Sequence, residues 1–197
     1  MDDAAALKVA IDLLHAPWRV RLLRKDFLPD GVPLLLRIAS GDGRAEAEAV
    51  RLADRPLEVI RQAAAFFIEQ ILLCPDADSY RVLGASPHAE ASDLKRNMAL
   101  LMSWVHPDKD PQGGRSIFAA RVAMAWNDLK TPERRAAYDR SQASLLQSRS
   151  KEPRRQQRKK VQPERHLIRM ARHPSYGTPP ESRFYSLLER LLRRKRY

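Results

Sequence analysis

A chain of 197 residues with 44% hydrophobic content can bury one sizeable core, while 14 prolines and 30% charged residues point to segments outside it. One cysteine, Cys74, excludes a disulfide framework and any zinc site built on paired cysteines, and it suits a reducing cytosol. The net charge of +12 is lodged at one end: residues 1–141 hold 20 basic and 20 acidic side chains, whereas residues 142–197 hold 16 and 4.

Residues 1–75 read as an N-terminal helical module of three to five helices. The opening MDDAAALKVAIDLLH is acidic and amphipathic, unlike a signal peptide. LPDGVP at 28–33 is a turn, LLLRIASGDG a short apolar helix ended by Ser40-Gly41, and RAEAEAVRLAD a helix that stops before Pro56. LEVIRQAAAFFIEQILL then carries Leu57, Ile60, Ala64, Phe67, Ile68, Ile71 and Leu72 as a wide stripe that needs a partner surface. The longest apolar run, AAAFFIEQILLC, is too short and too polar at Glu69 and Gln70 to span a bilayer. Cys74 reads as a buried small hydrophobe at a helix end.

Residues 76–141 hold a hairpin. Leu94, Met98, Leu101, Met102 and Val105 recur at helical spacing, as do Phe118, Val122, Ala125, Trp126 and Leu129. Between them HPDKDPQGG supplies two prolines and two glycines, which predicts antiparallel helices. Thr131 and Pro132 mark the start of one more helix. From 142 to 180 the composition predicts a basic disordered linker, and at 181–197 Phe184, Leu187, Leu188, Leu191 and Leu192 predict an amphipathic helix. Arginine outnumbers lysine 27 to 9, which hints at a GC-rich bacterial source.

The segment 78–139 resembles the J-domain of DnaJ-type co-chaperones. YRVLG is similar to the family's first helix and turn, DLK to the start of its second helix, and HPDK to its interhelical loop. AWNDL matches the end of its third helix and TPERRAAYD its fourth. Five motifs in register over about a third of the chain make the resemblance specific.

It implies an all-α fold, no catalysis by the chain itself, no cofactor, and docking onto a DnaK-type chaperone whose ATP hydrolysis is stimulated. His106, Pro107 and Asp108, with Lys109, carry over as the docking loop, and Lys95 and Arg96 as the basic face of the second helix. Tyr80 and Leu83 join the two stripes as J-domain core. The physics of the loop fits that role. Pro107 has a fixed φ and disfavours helical geometry at His106, so the tip is restricted before it docks. Asp108 can accept charge-assisted hydrogen bonds, and His106 can offer a donor.

Departures from the family stand out beside the loop. Ala99, Leu100 and Trp104 occupy positions where the family carries more charge, so Leu100 and Trp104 form an accessory surface or are covered. Cover by the 57–72 helix is the favoured reading, since its own stripe needs burying. Phe118 stands one residue before the family's phenylalanine, and Glu90 replaces a capping Ser or Thr, leaving Ser92 as the alternative cap.

Other chemistries are poorer fits. His106 and Asp108 lack a nucleophile motif or a phosphate loop, which argues against an enzyme. His88 and Asp110 are the nearest further metal ligands, and nothing sets them at ligand spacing. The resemblance implies that hydrolysis is coupled to an unknown client protein or to a cellular site. The basic stretch 149–196 leaves open contact with RNA or an anionic membrane, through a tethering protein with a divergent J-domain scaffold. The expected location is the cytoplasm, with peripheral membrane contact as the alternative.

Overall fold

The computed structural model describes residues 4–106, Asp108 and residues 114–151. Nine α-helices and no strand occur among them: α1 Ala4–His15, α2 Val20–Leu23, α3 Val32–Ala39, α4 Gly43–Ala53, α5 Leu57–Phe67, α6 Ser79–Val82, α7 Ala91–Trp104, α8 Ala119–Leu129 and α9 Pro132–Lys151. The fold is all-α, as the periodicity predicts. The linker beyond 151 and the helix expected at 181–197 lie outside the described residues.

Local chemistry sets the helix ends. The Asp42 carboxylate caps α4 by accepting from the amides of Arg44 (3.0 Å) and Ala45 (3.4 Å). Arg37 Nε donates to the same group at 2.9 Å, and this bond above all holds the Asp42 carboxyl below its ordinary value. Asp78 caps α6 through the amide of Arg81 at 2.9 Å. Thr131 Oγ1 accepts from the amide of Arg134 at 3.3 Å, with Pro132 in the first position of α9. Helix α7 begins after Glu90, which makes no side-chain cap. Ser92 therefore falls inside the first turn and does not cap it.

Helix α5 does not simply end at Phe67. It widens into a π-helical turn over Ile68–Leu72, in which the amide of Leu73 reaches Ile68 O at 2.9 Å. Ile68, Ile71, Leu72 and Leu73 are all buried there, so the sequence's wide stripe is turned inward from Ile60 onward, with Leu57 partly exposed at its start.

The organising element is α3. Val32, Leu34, Leu35, Leu36 and Ile38 are all buried, which makes this short helix apolar around most of its circumference. Such a helix cannot be satisfied from one side. It packs against α1, α4 and α5, and also against α7. One hydrophobic core consequently runs from Ala6 in α1 to Leu129 in α8. The division expected between 1–75 and 76–141 is thus not a division between cores, and the described residues belong to one compact unit.

The junction is tight and specific. Gly84 sits in the left-handed region (φ 61°) at the end of the turn after α6, and a Cβ there would come within 2.8 Å of Val32 Cγ1. Arginines span the same seam by capping carbonyls. Arg81 donates to Leu23 O and Asp26 O, and Arg121 donates to Leu73 O (2.8 Å) and Pro75 O.

Helix α9 runs to Lys151, ten residues past the boundary expected at 141. Ala143, Leu145, Leu146 and Gln147 favour helix, and no glycine or proline intervenes before Pro153. Polarity alone had suggested a linker there.

Candidate functional site: the tip of a helical hairpin

Helices α7 and α8 pack against each other as a hairpin, and α8 also packs on α6 and α9. Tyr80, Leu83, Leu94, Leu101, Val105, Val122, Ala125 and Leu129 are buried in it, and Met98, Phe118 and Trp126 are partly buried against the same core. Met102 is not a core residue; it is 37% exposed. The reason is a rotation of the buried arc. At about 100° per residue, Met102 lies about 80° from Leu94 on one flank of α7 and Trp104 about 80° away on the other. Burial extends to the Trp104 flank because α3 lies there.

Trp104 is accordingly buried, at 1% exposure, and Leu100 is partly buried. Neither forms an accessory surface. Helix α3 packs along this flank of α7, and the 57–72 helix shares the Trp104 cleft through Glu58, Arg61, Gln62 and Ala65, so both contribute to the cover. Arg96, Leu100 and Trp104 follow one another at i, i+4 and i+8. Arg96 shares a cavity with Pro33, Leu34 and Arg37, while Trp104 lines a cleft with Ile38 and Ala39. The three therefore track along α3.

This separates two residues the sequence placed on one basic face. Lys95 is exposed on the open flank with Ala99 and Met102. Arg96 is exposed as well, 56% at its side chain, but it stands on the α3 side of the helix and is bonded to Asp93 at 2.9 Å.

Behind the tip, the Trp104 ring stacks on Phe118 with centroids 6.3 Å apart and planes 19° from parallel. The Arg115 guanidinium lies 4.9 Å above the indole and its Nε stands 3.9 Å from Glu69 Oε1. Phe118 belongs to a 3₁₀ turn at Ser116–Phe118 rather than to α8 itself. That turn lets it reach the indole from one position earlier than a helical residue would.

At the tip itself, His106 and Asp108 are 58% and 87% exposed at their side chains. His106 Nδ1 is 3.3 Å from the Asp108 amide and 3.4 Å from Asp108 Oδ2. A neutral ring protonated on Nε2 accepts the amide through Nδ1, and an imidazolium pairs with the carboxylate instead. Either state closes a contact between His106 and Asp108. Pro107, Lys109 and Asp110 lie outside the described residues. His88 is exposed, and no group of three potential metal ligands occurs among the described residues.

Two features escaped the sequence reading. Asn97 is buried on the apolar arc of α7, where its Nδ2 donates to Leu83 O (3.0 Å) and Gly84 O (3.3 Å). A polar residue three after Leu94 and four before Leu101 was a visible signal of such a tether. The second is a polar lock between α6 and α9. Tyr80 Oη donates to Asp139 Oδ1 at 2.8 Å and accepts from Arg135 Nε at 2.9 Å, while the Ser79 amide donates to Tyr138 Oη at 2.8 Å. Burial first, and the Asp139 bond second, push the Tyr80 phenol above its ordinary value.

Among the described residues this arrangement holds no cluster of potential metal ligands. It is a helical hairpin with exposed polar side chains, His106 and Asp108, at its tip. Comparison with known proteins agrees on the class: the DnaJ domain family matches residues 78–139, and that segment is a DnaJ domain.

Among individual relatives, chaperone protein dnaJ 50 of Arabidopsis thaliana is 37% identical over 68 residues, covering 34% of this chain and 23% of the relative. Human DnaJ homolog subfamily C member 16 is 38% identical over 72 residues, covering 36% and 9%. Chaperone protein DnaJ of Agrobacterium fabrum is 40% identical over 65 residues, covering 32% and 17%. The chain thus matches less than a quarter of the length of each of these relatives. No solved structure matches it.

Proposed function

We propose that the protein is a J-domain co-chaperone that docks a DnaK-type ATPase through His106, Pro107, Asp108 and Lys109 and stimulates its ATP hydrolysis. The observation that carries this reading is the tip itself. Two exposed polar residues flank a conformationally restricted proline, at the end of a hairpin whose legs are pinned by the Trp104–Phe118 stack. The open flank of α7, with Lys95 beside Ala99 and Met102, continues the docking surface. Its mixed character implies a contact made by packing as well as charge. Chemistry takes place in the partner, and this chain biases the partner's conformation by binding one state more tightly. The chain's client and its cellular location are left to segments outside the DnaJ domain.

Single-turnover ATP hydrolysis by DnaK tests this directly. The full chain is expected to accelerate it, and His106→Gln to remove the acceleration while leaving the fold intact. Equal acceleration by both proteins would end the proposal.

A second reading, a tethering protein with a divergent J-domain scaffold, draws on one observation: the exposed Arg96 is ion-paired to Asp93 on the α3 side of the helix, which thins the free basic face. Salt-dependent binding of RNA or anionic vesicles through 149–196, with no DnaK stimulation, would favour it.

A further inference from the structure

The segment after α1 leaves its largest apolar side chains outside the protein. Trp18 is 72% exposed, Leu22 59% and Phe27 98%, within the stretch PWRVRLLRKDFL. Trp18 and Leu22 are four apart on one face of the turn formed by Pro17–Arg19 and α2, while Val20, on another face, enters the core. Three large, exposed apolar residues within ten positions of the chain mark a surface suited to a partner.

The backbone beneath them is well held. Arg24 donates to Gln70 O (2.8 Å) and Gln70 Oε1 (3.1 Å), and Arg81 of α6 donates to Leu23 O and Asp26 O. The exposure is thus built into a fixed platform rather than produced by a loose loop.

The charges around the patch identify the partner. Arg19, Arg21, Arg24 and Lys25 stand against Asp26 as the one acidic residue of the stretch. Arg24 is used internally and Arg19 lies 4.0 Å from Asp12. Arg21 and Lys25 are exposed and make no ion pair among the described residues. They alternate with Trp18 and Leu22 at i, i+3, i+4 and i+7, so basic heads and apolar bodies project from one face. Phe27, nearly fully exposed, is a projection that a fluid apolar medium accepts and a flat protein surface does not enclose. We infer that Trp18, Leu22 and Phe27, with Arg21 and Lys25, form an insertion surface for an anionic phospholipid bilayer. It is distinct from the basic tail and from the hairpin tip. Through Arg81 it joins the DnaJ domain directly to the bilayer contact.

The test uses the full chain and vesicles of phosphatidylcholine, with or without about a quarter phosphatidylglycerol, some carrying brominated acyl chains. Binding to the phosphatidylglycerol vesicles is expected to fall about tenfold or more in Trp18→Ser/Phe27→Ser, with thermal stability unchanged. Bromine quenching of tryptophan fluorescence is expected in the natural chain. It should vanish in Trp18→Phe, although that variant still sediments with vesicles. Equal binding by the double serine variant and the natural chain would overturn the inference, as would quenching unaffected by Trp18→Phe. Concentration-dependent self-association that the serine variant abolishes would assign the patch to a second copy and overturn it equally. None of these readouts depends on DnaK.

Discussion

Trp104 stacks on Phe118 two residues before His106, so the legs of the hairpin are joined by an aromatic pair directly behind the tip. The indole is also sealed by Arg115 above it and by α3 at its side. Removing it opens a cavity at the seam and frees the loop. Trp104→Ala is expected to lower stability by about 3–5 kcal/mol in urea unfolding. Its stacking share is separable: a double-mutant cycle of Trp104→Leu with Phe118→Leu should give a coupling of about 0.5–1.5 kcal/mol. Additive losses would mean that the rings merely fill space.

Gly84 faces two constraints at once. Its φ of 61° strains any L side chain by about 1–2 kcal/mol, and Val32 Cγ1 leaves no room for a Cβ. Gly84→Ala should therefore destabilise by more than the backbone strain alone. Adding Val32→Ala should recover part of that loss despite deleting buried methyl groups, which unfolding of the single and double variants would reveal. A double variant weaker than the sum of the two singles would place the steric conflict elsewhere.

Much of this was readable in advance. Helical periods, the Thr131 cap, the Ser40-Gly41 stop and the five motifs of residues 78–139 are local signals, each set by a few neighbouring residues. What was not readable depends on packing across distance. Nothing in Met102 distinguishes it from Met98 until α3 occupies the opposite flank of α7. For the same reason the cover of Trp104 is read from the longer stripe at 57–72 alone, whereas α3, apolar on most of its faces, shares that cleft with it. The split between Lys95 and Arg96 is the functional consequence, since adjacent residues on a helix point about 100° apart.

That split predicts unequal mutants. On the proposed function, Lys95→Ala should weaken DnaK stimulation several-fold, because its ammonium stands on the open flank. Arg96→Ala should change it less, because its guanidinium is bonded to Asp93 beside α3. Comparing the two at low and high salt checks the charge component, which screening should remove for Lys95. Equal losses would mean that Arg96 leaves Asp93 on docking.

The lock between α6 and α9 makes stability sensitive to alkali. Tyr80 is buried, with Asp139 and Arg135 bonded to its hydroxyl and the Tyr138 ring edge-on at 5.8 Å. Burial, followed by the bond to Asp139, favours the neutral phenol over the phenolate. Because the folded value lies above the ordinary one, the neutral form's contribution is complete below pH 10.0 and is lost as pH climbs through the raised value. Tyr80→Phe removes two charge-assisted contacts, so at neutral pH it should be less stable by about 1.5–3 kcal/mol. Its deficit relative to the natural chain should hold steady up to pH 10.0 and shrink above it, because only the natural chain has a buried phenol to ionise. Thermal unfolding of both proteins across that range measures the difference directly. Curves that stay parallel through the alkaline limb would show that other groups govern unfolding there.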